Sequence, residues 1–342
     1  MKTIKTSLLA AAVVSAFAMP AMASDINVKI SGRAHLSLDH LDNGVDSGLN
    51  VSSNSSRLRF AASTEVAEGL TAVMQLEQNI RFDEGNGSFA TRDSFLGLRG
   101  DFGLVRVGFF DTPLKVVRGR TDMFGDRVGD ARNITNVPTG AAGANFDNRF
   151  RNGVHYRSPA MNGFTFDLQY TPHNNTGSTV ENERESYSTS LTYNANGLYA
   201  AAAYESYENA AGDNPNALRL GVSYDVSKEF KVAALYQAAR NLENGNRNVW
   251  GVGASYKIED YTLRGQFYQA GKNDLADSGA NMIAVGVDRN FGRALTMYAV
   301  YGLTSNDDAA AFTIASGGRD TRLTPIAGEN SAGFSLGMIY NF

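Results

Sequence analysis

The 342-residue chain has no cysteine, 35 glycines, and 15 tyrosines and 19 phenylalanines against one tryptophan, with 43% of its residues hydrophobic. Its 31 basic and 35 acidic side chains leave a formal charge of −4, which argues against nucleic acid as a partner, and the missing thiols exclude disulfides and cysteine-ligated metal sites. Mean hydropathy is −0.26, and no segment reaches the roughly 20 apolar residues of a membrane-spanning helix.

Lys2 and Lys5 precede an apolar run from Leu8 to Ala18, then Pro20 and the small-residue site Ala21-Met22-Ala23. This order predicts a secretory signal peptide over residues 1–23, cleaved before Ser24, and an exported mature chain over 24–342 with 29 basic against 35 acidic residues. The first predicted strand follows at once, with Ile26, Val28, Ile30, Ala34, Leu36 and Leu38 alternating with Asn27, Lys29, Ser31, Arg33, His35, Ser37 and Asp39. A period of two with one apolar and one polar face marks a strand lying between two different surroundings. The same split places Leu58 and Phe60 against Arg57, Arg59 and Ser63, and Leu70, Ala72, Met74, Leu76 and Ile80 against Thr71, Gln75, Glu77, Asn79 and Arg81. Further on, Phe164, Phe166, Leu168 and Tyr170 oppose Thr165, Asp167, Gln169 and Thr171, and Tyr187, Thr189, Leu191 and Tyr193 oppose Ser186, Ser188, Ser190 and Thr192. At the end, Ala332, Phe334, Leu336, Met338, Tyr340 and Phe342 face one way and Ser331, Gly333, Ser335, Gly337 and Asn341 the other, with Ile339 alone out of phase.

About 16 such segments are expected, the others centred near Leu98, Val107, Val154, Ala202, Leu220, Ala234, Ala254, Leu263, Val285 and Met297. Short turns at 64–69, 100–103, 158–163, 194–197, 225–229, 257–260 and 290–293 separate longer loops at 41–55, 111–148, 172–185, 206–215, 271–281 and 304–330. The fold read from this pattern is all-β, a 16-stranded antiparallel transmembrane β-barrel with long outer loops and short periplasmic turns, its apolar face toward outer-membrane lipid and its polar face toward a water-filled lumen. A soluble β-sandwich shares the short alternating strands, but needs its apolar face for a core, whereas outward Tyr and Phe gather at strand ends here as interfacial girdles do.

Specific residues then carry a family resemblance. Ser56-Arg57-Leu58, the turn Glu65 to Gly69, and Leu70-Thr71-Ala72-Val73-Met74-Gln75-Leu76-Glu77 resemble the early strands of the Gram-negative general-diffusion porins. Arg92-Asp93-Ser94-Phe95-Leu96-Gly97-Leu98-Arg99-Gly100-Asp101-Phe102-Gly103, running through Val105-Arg106-Val107-Gly108 to Asp111-Thr112-Pro113, is similar to that family's most recognisable stretch, and Asn152 to Pro159 and the terminal Phe342 add to it. The resemblance implies a homotrimer of 16-stranded barrels in the outer membrane of a Gram-negative bacterium, with the third outer loop, here 111–148, folded inward to narrow each pore. It also implies pore arginines at Arg57 and Arg92. The sequence departs from the family where Arg59 and Ala62 replace expected glycines and where Phe109-Phe110 precede Asp111-Thr112-Pro113, which implies a narrower or differently charged eyelet.

Independently of family, 111–148 is the longest connection, and long loops without secondary structure of their own are usually functional. It carries Asp122, Asp126 and Asp130 at a spacing of four among Arg118, Arg120, Arg127 and Arg132, a spacing that fits either an acidic rim or one solvated helical face. The inward phase of the strands gives Arg33, Arg57, Arg59, Arg81, Arg106, Arg149 and Arg151, joined by Arg92 from the resemblance. Charges at such positions are cheap in a wet lumen and costly toward lipid. They either form a basic ladder that faces the acidic loop across a transverse field or solvate the lumen and pair locally. His35, His40, His155 and His173 fall in no catalytic spacing, and Asp39, Asp42, Asn43 and Asp46 lack the order of a calcium loop. No catalytic residues, no metal and no cofactor are expected. The function read from the sequence is passive diffusion of ions and small hydrophilic solutes, with a substrate-selective channel or a loop-mediated receptor or adhesin as the other class.

Overall fold

The computed structural model describes residues 25–85, 89–137, 145–174, 185–208 and 214–342. The expected signal peptide at 1–23 and the stretch 138–144 of the expected constriction loop lie outside the described residues. The described chain forms one antiparallel sheet, in order β1 (Asn27–Asp42), β2 (Ser47–Ser53), β3 (Arg57–Ala67), β4 (Leu70–Asn79), β5 (Ser94–Gly100), β6 (Gly103–Asp111), β7 (Arg149–Arg157), β8 (Phe164–Thr171) and β9 (Ser186–Ala195), then β10 (Leu198–Tyr207), β11 (Asn216–Asp225), β12 (Phe230–Arg240), β13 (Arg247–Ile258), β14 (Tyr261–Ala270), β15 (Ala280–Phe291), β16 (Leu295–Asn306) and β17 (Ser331–Asn341). Each strand pairs with its sequence neighbour except β2 and β3, which both pair with β1, and β17 pairs with β1 from Asn341↔Arg33 to Ala332↔Asp42, so the sheet closes on itself. Gly32 and Phe342 exchange both of their backbone hydrogen bonds at this seam, 2.8 and 3.1 Å. Closure leaves no edge with unpaired N–H and C=O groups in the membrane.

Seventeen pairing segments make 16 staves. The upper half of β1 pairs with β2 (Leu36↔Ser53) and its lower half with β3 (Arg33↔Arg57), so β2 and β3 are two halves of one strand. Between them Asn54 to Ser56 form a bulge with Ser55 at φ 51. The expected outer loop at 41–55 is therefore mostly strand. The connection is a tight turn in which Asn43 Oδ1 accepts from the amides of Val45 (3.1 Å) and Asp46 (2.8 Å), which is how Asn lets a chain reverse in few residues.

The alternation follows the expected phase. Phe334, Leu336, Met338 and Tyr340 stand outward and about half exposed, while Ser331 and Ser335 are buried. Outward rings pair near both rims, Phe164 with Tyr193 at 4.9 Å and Tyr187 with Tyr204 at 5.8 Å between centroids. The turns at 100–103, 158–163 and 195–198 join one end of the staves, and the longer loops gather at the other.

Two of these loops fold into the barrel. The loop after β6 contains α1 (Pro113–Thr121) and α2 (Arg132–Thr135), so the connection expected to lack secondary structure has some of its own. Thr112 caps α1 by accepting from the Lys115 amide, 3.3 Å, with Pro113 at the first helical position, the residue pair that favours a helix start. The buried stripe of Leu114, Val117 and Thr121 turns toward β9 to β12. Beneath it the inward positions are not the polar set expected for the whole lumen: Ala203, Ala217, Ala233, Leu235, Val249, Met282 and Val300 are buried in one cluster with Leu114, Val117, Phe124, Val128 and Ile134 of the loop. Half of the inner wall is thus a dry seat, because a loop covers it and removes it from water.

Candidate pore constriction

Glycines shape that seat. A Cβ at Gly221 would lie 2.5 Å from Val117 Cγ1, at Gly253 2.8 Å from Met123 Cγ, and at Gly302 2.8 Å from Ile314. All three are inward positions on separate strands, so their missing side chains let the two inward loops lie flush against the wall. Isolated polar residues among them hold its backbone. Ser188 Oγ accepts from the Leu114 amide (3.1 Å), Gln266 Oε1 accepts from the Met123 amide (2.9 Å) and Gln266 Nε2 donates to Gly129 O (2.6 Å). Gln237 Nε2 donates to Thr135 O, 2.9 Å, and Arg219 donates to Leu114 O, 3.1 Å. The other inward loop, 307–330, locks onto the first through Asn133, whose Nδ2 donates to Ile314 O (2.7 Å) and whose Oδ1 accepts from the Ser316 (3.0 Å) and Gly317 (2.8 Å) amides.

The loop's charges are spent mostly on each other. Arg118 reaches Asp122 (3.0 Å), Asp130 (3.3 Å) and Asp147 (2.9 Å), and Asp147 also takes Arg219 at 3.1 Å. Arg127 pairs with Asp288 at 2.6 Å, and Arg132 with Asp130 at 2.7 Å. Asp122 and Asp130 are closed off, with 1% and 0% of their side chains exposed. They form neither a rim nor a helical face: Asp122 accepts from the Phe124 and Ala131 amides and Asp130 from those of Asp126 and Arg132, tying the turn between the helices. Burial would raise the Asp147 carboxyl, but Arg219 and Arg118 outweigh it and hold it at about 2. Burial, reinforced by the neighbouring Asp130, pushes Asp122 up to about 7.

Asp126 alone of the three acids meets the opposite wall, 3.4 Å from Arg33 and 4.0 Å from Arg57, with Arg132 on its own loop as a third partner. Burial opposes its ionisation, yet the guanidinium groups of Arg132, Arg33, Arg57 and Arg92 keep it well below the ordinary carboxylate range. On the wall, Arg59 and Arg92 share Glu77, Arg92 at 2.7 Å. Arg92 precedes β5 rather than belonging to it, so the outward phase of Leu96 does not bind it. Arg149 bridges Asp93 (2.6 Å) and Asp111 (2.9 Å), and Lys115 takes Asp111 at 2.8 Å. Arg106 lies deeper, its guanidinium 4.7 Å from the Phe95 ring and 4.0 Å from the Phe110 ring, with Nε donating to His155 Nδ1 at 3.1 Å.

Two predicted residues fall elsewhere. Arg81 lies past the end of β4 and pairs with Glu84 (2.6 Å) and Asp320 (3.5 Å) where two outer loops meet. Asn152, at φ 52, interrupts the phase of β7, and Arg151 sits 5.6 Å over Phe109 and joins none of these pairs. Sequence reasoning missed Arg219, Gln237, Gln266 and Asp288, whose signal was a lone polar residue in an otherwise small or apolar inward row, and Asn133, which lies on α2 and carried no such signal. Among the described residues no three metal-ligating side chains assemble.

A closed 16-stave barrel with a loop seated inside it and a charged gap opposite is the architecture of an outer-membrane pore protein. The chain belongs to the Gram-negative porin family, whose model matches residues 10–309. It is 30% identical over 178 residues to the major outer membrane protein P.IB of Neisseria gonorrhoeae, covering 51% of this chain and 48% of that one. It is 33% identical over 159 residues to a chitoporin of Vibrio furnissii, covering 42% and 40%. The chain spans about half the length of the curated relatives it matches. Among solved structures, an anion-selective porin from Comamonas acidovorans shares the fold with a TM-score of 0.80 at 22% identity, covering 93% of this chain and all of that one. OmpT of Vibrio cholerae, in a trimer form, shares it with a TM-score of 0.70 at 18% identity, covering 93% and 99%.

Proposed function

We propose that this protein is a passive diffusion channel of the outer membrane, a conduit and not a catalyst, whose eyelet between the seated loop and the β1–β7 wall favours anions. The supporting observation is the surround of Asp126. Three arginines converge on this one carboxylate, and Arg59, Arg92, Arg106 and Arg149 line the same gap against Glu77, Asp93 and Asp111. Cations outnumber carboxylates, so the local potential is positive although the chain as a whole is acidic. A narrow gap with low-dielectric walls magnifies such an imbalance. Of the two readings that the sequence left open, this proposal follows local pairing: the loop's own arginines neutralise most of its acids, leaving a positive eyelet. The name of the Comamonas acidovorans neighbour agrees with this sign. Assembly as a homotrimer and passage of small hydrophilic solutes belong to the same proposal.

The test is single-channel recording of the folded protein in a planar bilayer under a salt gradient. Ohmic steps in groups of three with a reversal potential of anionic sign are expected. The double variant Arg57→Ser, Arg59→Ser should move that potential toward cations by several millivolts and change the step size. If both quantities stay at wild-type values, the eyelet assignment fails; silence from correctly folded protein would favour the receptor or adhesin class.

A further inference from the structure

Five arginines are buried among the described residues: Arg118, Arg127, Arg219, Arg247 and Arg319. Four have a carboxylate. Arg118 and Arg219 share Asp147, Arg127 has Asp288, and Arg319 has Asp39. Arg247, 8% exposed at the outer end of β13, pairs with no carboxylate among the described residues. Its Nη1 donates to Gly271 O (2.7 Å) and Ser278 O (2.8 Å), its guanidinium lies 5.2 Å from the centre of the Phe312 ring, and Nε and Nη2 have no described partner. A buried charge without a counter-ion is costly, and proteins keep one chiefly where something else supplies the opposite charge.

Arg247 lines a cavity of about 350 Å³ at the outer mouth, off the eyelet, between α2, the loops after β12 and β14, and the 307–330 loop. The rest of the lining is mixed: Val137, Leu242, Leu275 and Phe312 give apolar surface, and Asn136 and Asn273 give amides. Arg132 also borders it, but its guanidinium is committed to Asp126 and Asp130. We infer that this cavity is a binding site for a small organic monocarboxylate, its carboxylate on the free edge of the Arg247 fork and its apolar body against Phe312, Leu242 and Leu275. A planar fork with two free N–H groups matches a carboxylate in two parallel hydrogen bonds, and a few hundred cubic ångströms is the size of a small-ligand site. The exposed Glu243 on the same lining weights the choice toward a guest with a single negative charge. The site is separate from the eyelet and does not depend on the sign of ion preference proposed above.

The probe is 4-fluorobenzoate, followed by fluorine NMR line broadening against folded full-length protein, with 4-fluorobenzyl alcohol as the uncharged control. Wild type should bind the acid saturably and the alcohol at least about tenfold more weakly, as should Arg247→Gln with the acid, since both changes remove a charge-assisted contact. Arg247→Lys should recover only part of the affinity because it keeps charge without the fork. Leu275 is about half exposed, so Leu275→Trp fills the cavity with little risk to folding and should abolish binding. Arg57→Ser with Arg59→Ser should leave binding unchanged. Equal binding of acid and alcohol, undiminished binding by Arg247→Gln or by Leu275→Trp, or loss of binding in the eyelet variant would overturn the assignment.

Discussion

At the scale of single residues, the most sensitive group is Asp122. Its folded value near 7 stands above the ordinary 3.8 of a free aspartate, because burial and the adjacent Asp130 both oppose its charge. A raised acid binds more protons in the folded state, so it weakens the seated loop progressively as pH rises from about 4 to about 7 and by a constant amount above that. Asp126, Asp130 and Asp147 run the other way, held below their ordinary value despite burial, and their contribution is lost as pH falls through and below about 4. The loop should therefore be held most firmly in mildly acid solution. Open-channel current noise in wild type should increase between pH 5 and pH 8, and in Asp122→Asn the slope should vanish; a variant with the wild-type slope would remove Asp122 as its origin. The inward phase of Arg33, Arg57, Arg59 and Arg106 was legible in the sequence because a strand offers only two faces. Whether Asp122, Asp126 or Asp130 met those arginines was not, since that depends on amides supplied by a turn with no periodicity.

Among the elements, the inward loop and the wall under it depend on inward glycines more than on any side chain. Gly221 is the tightest seat, with Val117 2.5 Å from where a Cβ would stand. Gly221→Val should tilt α1 into the lumen, reduce single-channel conductance, and cost about 1–3 kcal/mol as an overpacking change. Gly265 faces outward on β14 with its nearest would-be neighbour at 4.0 Å, so Gly265→Ala should conduct like wild type. If both variants conduct alike, the seat does not set the aperture. Glycine in a strand reads from sequence as a weak spot or a close approach, and at Gly221 and Gly253 the approach is made by a loop about 100 or more residues earlier in the chain. No local pattern announces such a partner, which is why the polar lumen expected for every stave was right for β1 to β9 and wrong beneath α1.

For the whole molecule, the outward belt of Leu, Val, Phe and Tyr needs a non-aqueous surround over its full height, and trimerisation would cover part of it with other copies. Migration on a semi-native gel should show a large heat-sensitive species that collapses on boiling to the size of one chain; a single small band under mild conditions would count against the trimer. The stave count, closure and loop-to-turn alternation were legible throughout, because lipid on one side and water on the other impose a period of two on every strand. The same geometry sets an order in time. The loop's seat is built from β9 to β17, all later in the chain than the loop itself, and contacts that far apart in sequence form late. The loop therefore has nothing to settle on until the second half of the chain is in place, and Val117 and Met123 reach their glycines only on a wall already standing.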